Sequence, residues 1–179
     1  MFKFFVKDFS FCVSMSTIPS RLKNINYIIN NINNQTLKPH KIFLNIPTQY
    51  KRFENETISK EDLDKVNKEN IEIIRCDDYG PGTKIMGSIK KVREYDCVIL
   101  LDDDHIYDVN ICKIFLDAFK KEQVNYSFYL NKIFKINMGQ CADGFLMNTE
   151  LLDNIENFYE KHVKNNYNMF LDDDLWLAI

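Results

Sequence analysis

The stretch "CVILLDDDHIYD", residues Cys97–Asp108, decides the fold. Cys97–Leu101 is a short continuous apolar run, the pattern of a strand buried on both faces. Asp102, Asp103 and Asp104 follow at once. Like charges ~4–6 Å apart repel by roughly 1 kcal/mol in water and by several times more in a partly buried site. The corner therefore needs either a compensating cation or a fully solvated loop.

Upstream of this corner the same strand pattern occurs three times. "FSFCVSMS" (Phe9–Ser16), "KIFLNIP" (Lys41–Pro47) and "IEIIR" (Ile71–Arg75) are rich in aromatic and β-branched residues, as strands are. Between the first two, Leu22, Ile25, Ile28, Ile29 and Ile32 recur on one helical face behind Pro19. A short helix is predicted around Lys60–Lys68 and another over Thr83–Glu94, after the loop "CDDYGPGT" with its Gly80, Pro81 and Gly82. The order β-α-β-α-β-α-β predicts a parallel sheet covered on both faces. Ligands of such sheets bind beyond the carboxyl ends of the strands. "STIPSR", "CDDYGPGTK" and "DDDHIYD" all fall on that edge.

The second half is less regular. A helix is predicted over Val109–Glu122, then strands at "YSFYL" and "KIFKINM", a loop at "GQCADG" and a strand at "FLMN". A helix capped by Asn148 or Thr149 is predicted to run to about Val163, burying Leu151, Leu152, Ile155, Phe158 and Val163. The closing "NNYNMFLDDDLWLAI" reads as helix with no stop signal, as expected if the sequence is cut from a longer chain.

The 179 residues suit one domain with a real core, and 45% hydrophobic with 27% charged residues is ordinary globular composition. A net charge of −3 with scattered Lys and Arg argues against a nucleic-acid partner. Five cysteines without a C-x-x-C pair favour buried thiols in a reducing compartment over a zinc site or a disulfide framework. Lys3, Lys7 and Asp8 break up the apolar N-terminus, and no run reaches the ~20 residues of a spanning helix. A cytoplasmic protein without a transmembrane segment is the expectation.

A second acidic run, Asp172–Asp174, lies in the other half of the chain. Either run alone is compatible with a solvated loop or, for the second, a helix start. Together they offer two chemistries. Carboxylates at i, i+2 suit Mg²⁺ or Mn²⁺, which take hard oxygen ligands and share them with phosphates. A carboxylate without metal can act as a general base toward a hydroxyl.

"STIPSRL", "QTLKPHKIFLNIP", "DYGPGTKIMG", "VILLDDDHIYD" and, later, "ADGFLM" with "DDDLW" together resemble the family-2-like nucleotide-sugar glycosyltransferases of the GT-A class, over about Phe11–Leu177. The resemblance implies an α/β, GT-A (Rossmann-like) three-layer α/β/α sandwich with a mostly parallel central sheet. It implies a single catalytic domain over 1–179, with 1–104 the nucleotide-binding half and 105–179 the acceptor-side half. Thr17, Arg21 and Asp78 would line the nucleotide pocket, Lys84 would reach the donor phosphates, and Asp102 and Asp103 would contact the donor. Gly80 and Gly82 would admit a close backbone approach. Asp102 and Asp104 would hold Mn²⁺ or Mg²⁺. "DDLWL" would place Asp173 at the first acidic position and Asp174 as catalytic base, with Asp172 taking that role in a slipped register. The Q-x-x-R-W motif of processive members is absent. The implied reaction moves a sugar from a nucleotide-sugar, UDP favoured, to a glycan, protein or lipid acceptor hydroxyl, with inversion.

Three alternatives differ in what they need. A sugar-phosphate nucleotidyltransferase would carry a G-x-G-x-R loop after the first strand, where "STIPSR" has no glycine. A metal phosphatase would place a nucleophilic Asp there, and "VSMSTIP" has none. A non-catalytic sugar- or nucleotide-binding GT-A-like module would need neither acidic run. Trp176 is open to acceptor stacking or to the core, Tyr79 to base stacking or loop packing, His105 to the metal or solvent, and Asp143 to sugar hydroxyls or solvent.

Overall fold

In this computed structural model the residues described are 8–53, 56–133 and 136–177. The first half lays down β1 (Phe11–Ser16), α1 (Ile25–Asn33), β2 (Lys41–Pro47), α2 (Lys60–Asp64) and β3 (Ile71–Cys76). It continues with α3 (Thr83–Met86), α4 (Ile89–Val92) and β4 (Cys97–Leu100). The second half adds α5 (Ile111–Phe119), β5 (Tyr126–Ser127), β6 (Leu130–Ile133), β7 (Ile136–Gly139) and β8 (Phe145–Asn148). It ends with α6 (Ile155–Phe158), α7 (Tyr167–Leu171) and α8 (Asp173–Leu177).

The central sheet runs β3-β2-β1-β4-β8-β5. Its first four strands are parallel, while β8 joins β4 and β5 joins β8 antiparallel. β6 and β7 form a separate antiparallel pair. Because side chains alternate along a strand, β1 sends Val13 and Met15 to one face and Cys12 to the other. One face packs on Ile25, Ile28, Ile29 and Ile32 of α1 and on Phe115 and Phe119 of α5. The other packs on Ile85, Ile89, Tyr159, Phe170 and Trp176. Both faces are thus buried, as the apolar strands required.

Two of the expected helices are interrupted, each for a local reason. The helix expected over 83–94 splits at Ser88, which leaves helical backbone at φ −118° and ψ 13° with its hydroxyl 2.9 Å from that of Ser14 on β1; the preceding Gly87 stays helical and seats where a Cβ would lie 2.8 Å from the Cβ of Asn45 on β2. Close seating on the sheet takes priority there over continuous helix. The helix expected to run to Val163 is a 3-10 turn over Thr149–Leu152, then α6, then a π-turn over Tyr159–Val163. Asn154 sits at φ +68°, left-handed backbone that Asn tolerates better than most residues. The break turns Leu151 out to solvent and makes Tyr159 a core residue, contrary to the expected buried face. Asn148 does cap the segment, its side chain accepting from the Glu150 N–H. "KIFKINM" contributes to both β6 and β7, which pair antiparallel, so one expected strand is two.

Candidate functional site

The repulsion at Asp102–Asp104 is met by side chains from the loops after β1 and β3. Thr17 donates its hydroxyl to Asp103 at 2.5 Å, and Arg21 donates to the same carboxylate at 2.9 Å. The other arm of Arg21 reaches Asp104 at 3.0 Å. Pro19 opens the 3-10 turn Pro19–Asn24 that presents Arg21. Asp103 is only 6% exposed, with both oxygens occupied, so it ties the β4 corner to the β1 loop. Asp104 stays half exposed. The Asp102 N–H donates to the Tyr107 hydroxyl at 2.7 Å, and that hydroxyl faces the Ala142 carbonyl. Burial pushes the Tyr107 phenol up. Tyr107 lies within the opening sequence motif, yet nothing in its spacing marked it as the brace of the acidic corner.

Lys84 joins the two acidic runs. It is buried, lies 2.6 Å from Asp102 and stands 3.1 Å from Asp173 at the start of α8. The Asp173 contact is an ion pair without hydrogen-bond alignment. Burial alone would push the Lys84 ammonium down; the carboxylates of Asp173 and Asp102 overcome it and hold the group above its ordinary value. Burial pushes Asp102 up, and Lys84 pulls it part of the way back. The backbone of Lys84 is also fixed: its carbonyl accepts from Ser14 at 2.5 Å and from Asn45 at 3.1 Å. Sequence inspection did not single out these two buried polar residues. They stand on apolar-looking strands, and such positions are tolerated only when hydrogen-bonded.

The glycines of "YGPGTK" admit protein rather than open space. A Cβ on Gly82 would collide with the Trp176 ring, and one on Gly80 with the Phe170 carbonyl. Gly80 also needs its φ of +63°. What approaches closely is therefore α7 and α8, which is how Asp173 comes within reach of Lys84. Trp176 is core, packed against Tyr159 with ring centroids 5.7 Å apart. Asp78 is buried and accepts from the Lys51 and Gly80 N–H groups at 2.6 and 2.8 Å, so it organises this loop.

Asp174 is half-buried and accepts from the Cys141 N–H at 2.8 Å. Asp172 is exposed at the end of α7. Among the described residues, Cys141, Asp173 and Asp174 bring ligating atoms within 4.8 Å of one another. A cation among them would meet the Lys84 ammonium already paired with Asp173. Burial pushes the Cys141 thiol up, so it offers little thiolate. Asp102 and Asp104 differ. Among the described residues each engages one oxygen with a protein cation and keeps the other without a protein hydrogen bond. Five carboxylates, Asp102–Asp104, Asp173 and Asp174, face two cations, Lys84 and Arg21. Partly exposed hard oxygens with surplus negative charge fit a divalent ion.

Beside this corner, a groove of about 720 Å³ opens past the ends of β2 and β3, lined by Gln49, Tyr50, Asp77, Tyr79, Tyr159 and Lys164 among others. The Tyr50 hydroxyl donates to the Thr17 carbonyl at 2.9 Å, linking groove to corner. Tyr79 packs edge-on against Tyr159. His105 is half exposed, with Asp143 3.9 Å away. Among the described residues no helix is long and apolar enough to cross a membrane.

A six-stranded sheet with four leading parallel strands, helices on both faces and an acidic corner after β4 is the GT-A type of fold. Solved glycosyltransferases of that type share it. S. aureus TarS 1-349 in complex with UDP superposes with a TM-score of 0.54 at 12% identity, covering 82% of this chain and 49% of that one. The same protein in complex with UDP-GlcNAc gives 0.57 at 14% identity, over 82% and 47%. The apo-form glycosyltransferase GlyE of Streptococcus pneumoniae TIGR4 gives 0.50 at 16% identity, over 95% and 43%. The chain thus spans about half the length of the solved structures it matches. No protein-family model matches it, and no curated protein matches its sequence.

Proposed function

We propose that this protein is a metal-dependent glycosyltransferase that moves a sugar from a nucleotide-sugar, UDP favoured, to an acceptor hydroxyl with inversion. One observation carries it: Lys84 ties Asp102 after β4 to Asp173 on α8, so acidic runs from opposite halves of the chain share one edge of the sheet. Complexes of the similar TarS with UDP and UDP-GlcNAc support the donor class.

In this reading residues 1–104 form the donor half, whose groove Tyr159 and Lys164 close from the other side, and 105–179 otherwise the acceptor half. The groove past β2 and β3 takes the nucleoside, with Asp78 in its wall and Thr17 behind it, holding the Tyr50 hydroxyl. Asp102 and Asp104 hold Mn²⁺ or Mg²⁺. When bound, that ion neutralises the donor diphosphate and the charge that grows on it as it leaves. Arg21 orients Asp103 and Asp104. Lys84 was expected to touch the phosphates; its burial between two carboxylates suits it instead to setting α8 against the corner. Asp174, oriented by the Cys141 N–H, removes the proton from the acceptor hydroxyl as that oxygen attacks the anomeric carbon. Asp173 is the buried partner that fixes the start of α8.

A screen of intact nucleotide-sugars with Mn²⁺, following nucleoside diphosphate release, tests the proposal. Release that requires both metal and donor is expected; none from any donor would overturn it. The buried pairing of Lys84 also suits a non-catalytic binding module. Metal-independent nucleotide binding without slow donor hydrolysis would favour that alternative.

A further inference from the structure

Phe128, Tyr129 and Leu130 are three consecutive large apolar residues that are 46%, 58% and 63% exposed. A run of exposed apolar residues costs solubility and stability unless it meets a partner. The run is rigidly placed. The Phe128 ring lies 4.8 Å from that of Phe115 on α5, and the Tyr126 hydroxyl donates to the carbonyls of Ala118 and Glu122 at 3.2 and 2.9 Å. Ile114 of α5 and Val124 are also exposed apolar residues.

The charge around it is opposite to that of the chain. Residues 111–132 hold Lys113, Lys120, Lys121 and Lys132 against Asp117 and Glu122, while the whole chain is −3. All four lysines are exposed, and Asp117 feels Lys113 first, then Lys120 and Lys121. Aromatic and aliphatic tips flanked by lysines are the composition of a surface that enters the headgroup region of an anionic bilayer. Lysine stems lie along apolar surface while their ammonium groups reach lipid phosphates.

The surface is also joined to the candidate base. The Gln140 N–H donates to the Tyr129 carbonyl at 3.0 Å, and the next residue, Cys141, gives its N–H to Asp174. We propose that Phe128–Leu130 together with Lys113 of α5, Lys120 and Lys121 just after it and Lys132 of β6 docks on an anionic lipid bilayer.

Co-sedimentation of the full chain with phosphatidylcholine vesicles, with and without phosphatidylglycerol, tests the docking without any donor or acceptor. Binding is expected on the anionic vesicles. Tyr129→Ser with Leu130→Ser should weaken it by at least about tenfold. Lys120→Gln with Lys121→Gln should weaken it by roughly fivefold per charge and only on anionic vesicles. All four positions are exposed, and an unchanged melting temperature would show the variants folded. Donor hydrolysis in solution should be unchanged by these substitutions, so its loss in the unsubstituted protein would fault the catalytic reading and leave the docking standing. No binding to anionic vesicles, or binding indifferent to Leu130→Ser, would overturn the docking. So would a concentration-dependent dimer abolished by the same substitution, which would make a second copy the occupant.

Discussion

Lys84 is where charge, burial and geometry meet. It faces two carboxylates from a position that is almost wholly out of water. Removing the cation from such a set leaves uncompensated buried charge. Lys84→Met should therefore lower stability by about 3 kcal/mol, read by urea denaturation; a loss under 1 kcal/mol would mean the pair is solvated. The pH dependence follows from the sign of the shift. Lys84 is held above its ordinary value by Asp173 and Asp102 against its burial. Its contribution is whole below about pH 10.4 and leaves only as pH rises through the higher folded value. Stability between pH 7 and 10 should show no Lys84 transition. At Asp174 the prediction is chemical: Asp174→Asn should cut transfer by roughly 10²- to 10⁴-fold with the fold intact, measured as diphosphate release with circular dichroism alongside.

Helices and strands were legible in the sequence to different degrees. β2 and β8 coincide with "KIFLNIP" and "FLMN", because strands buried on both faces must be nearly all apolar. The expected helix over 83–94 and the one ending at Val163 broke at Ser88 and Asn154, where a contact with β1 and a left-handed residue decide. A helical period carries no record of either. At the site, the two D-D-D runs were visible as composition, whereas their junction through Lys84 was not. That junction depends on α8 seating against Gly82, which only the fold reveals. The glycine gives the test. Gly82→Ala should drive a methyl into the Trp176 ring and cost about 1–3 kcal/mol, measured as a fall in the unfolding midpoint. An unchanged midpoint would mean α8 is free to move away.

Across the whole molecule, the two covered sheet faces also seal four of the five thiols, while Cys76 at the end of β3 is only half-buried. Burial pushes Cys97 and Cys112 up to about 12, and burial with Asp77 does the same for Cys76. Cys12 and Cys141 are raised as well, chiefly by burial. A disulfide reagent should thus reach at most Cys76 in the native protein and count all five cysteines only after unfolding. Rapid native labelling of more than one thiol would place a second one outside the core. The central claim concerns the corner after β4, where surplus carboxylate is proposed to hold a divalent ion and, through it, a donor's diphosphate. Calorimetric titration of UDP into the full chain, with and without Mn²⁺, tests it most directly, with Asp104→Ala in parallel. Binding that needs Mn²⁺ and is lost in Asp104→Ala is the expected result; equal UDP affinity with and without the metal, or in the variant, would contradict the account.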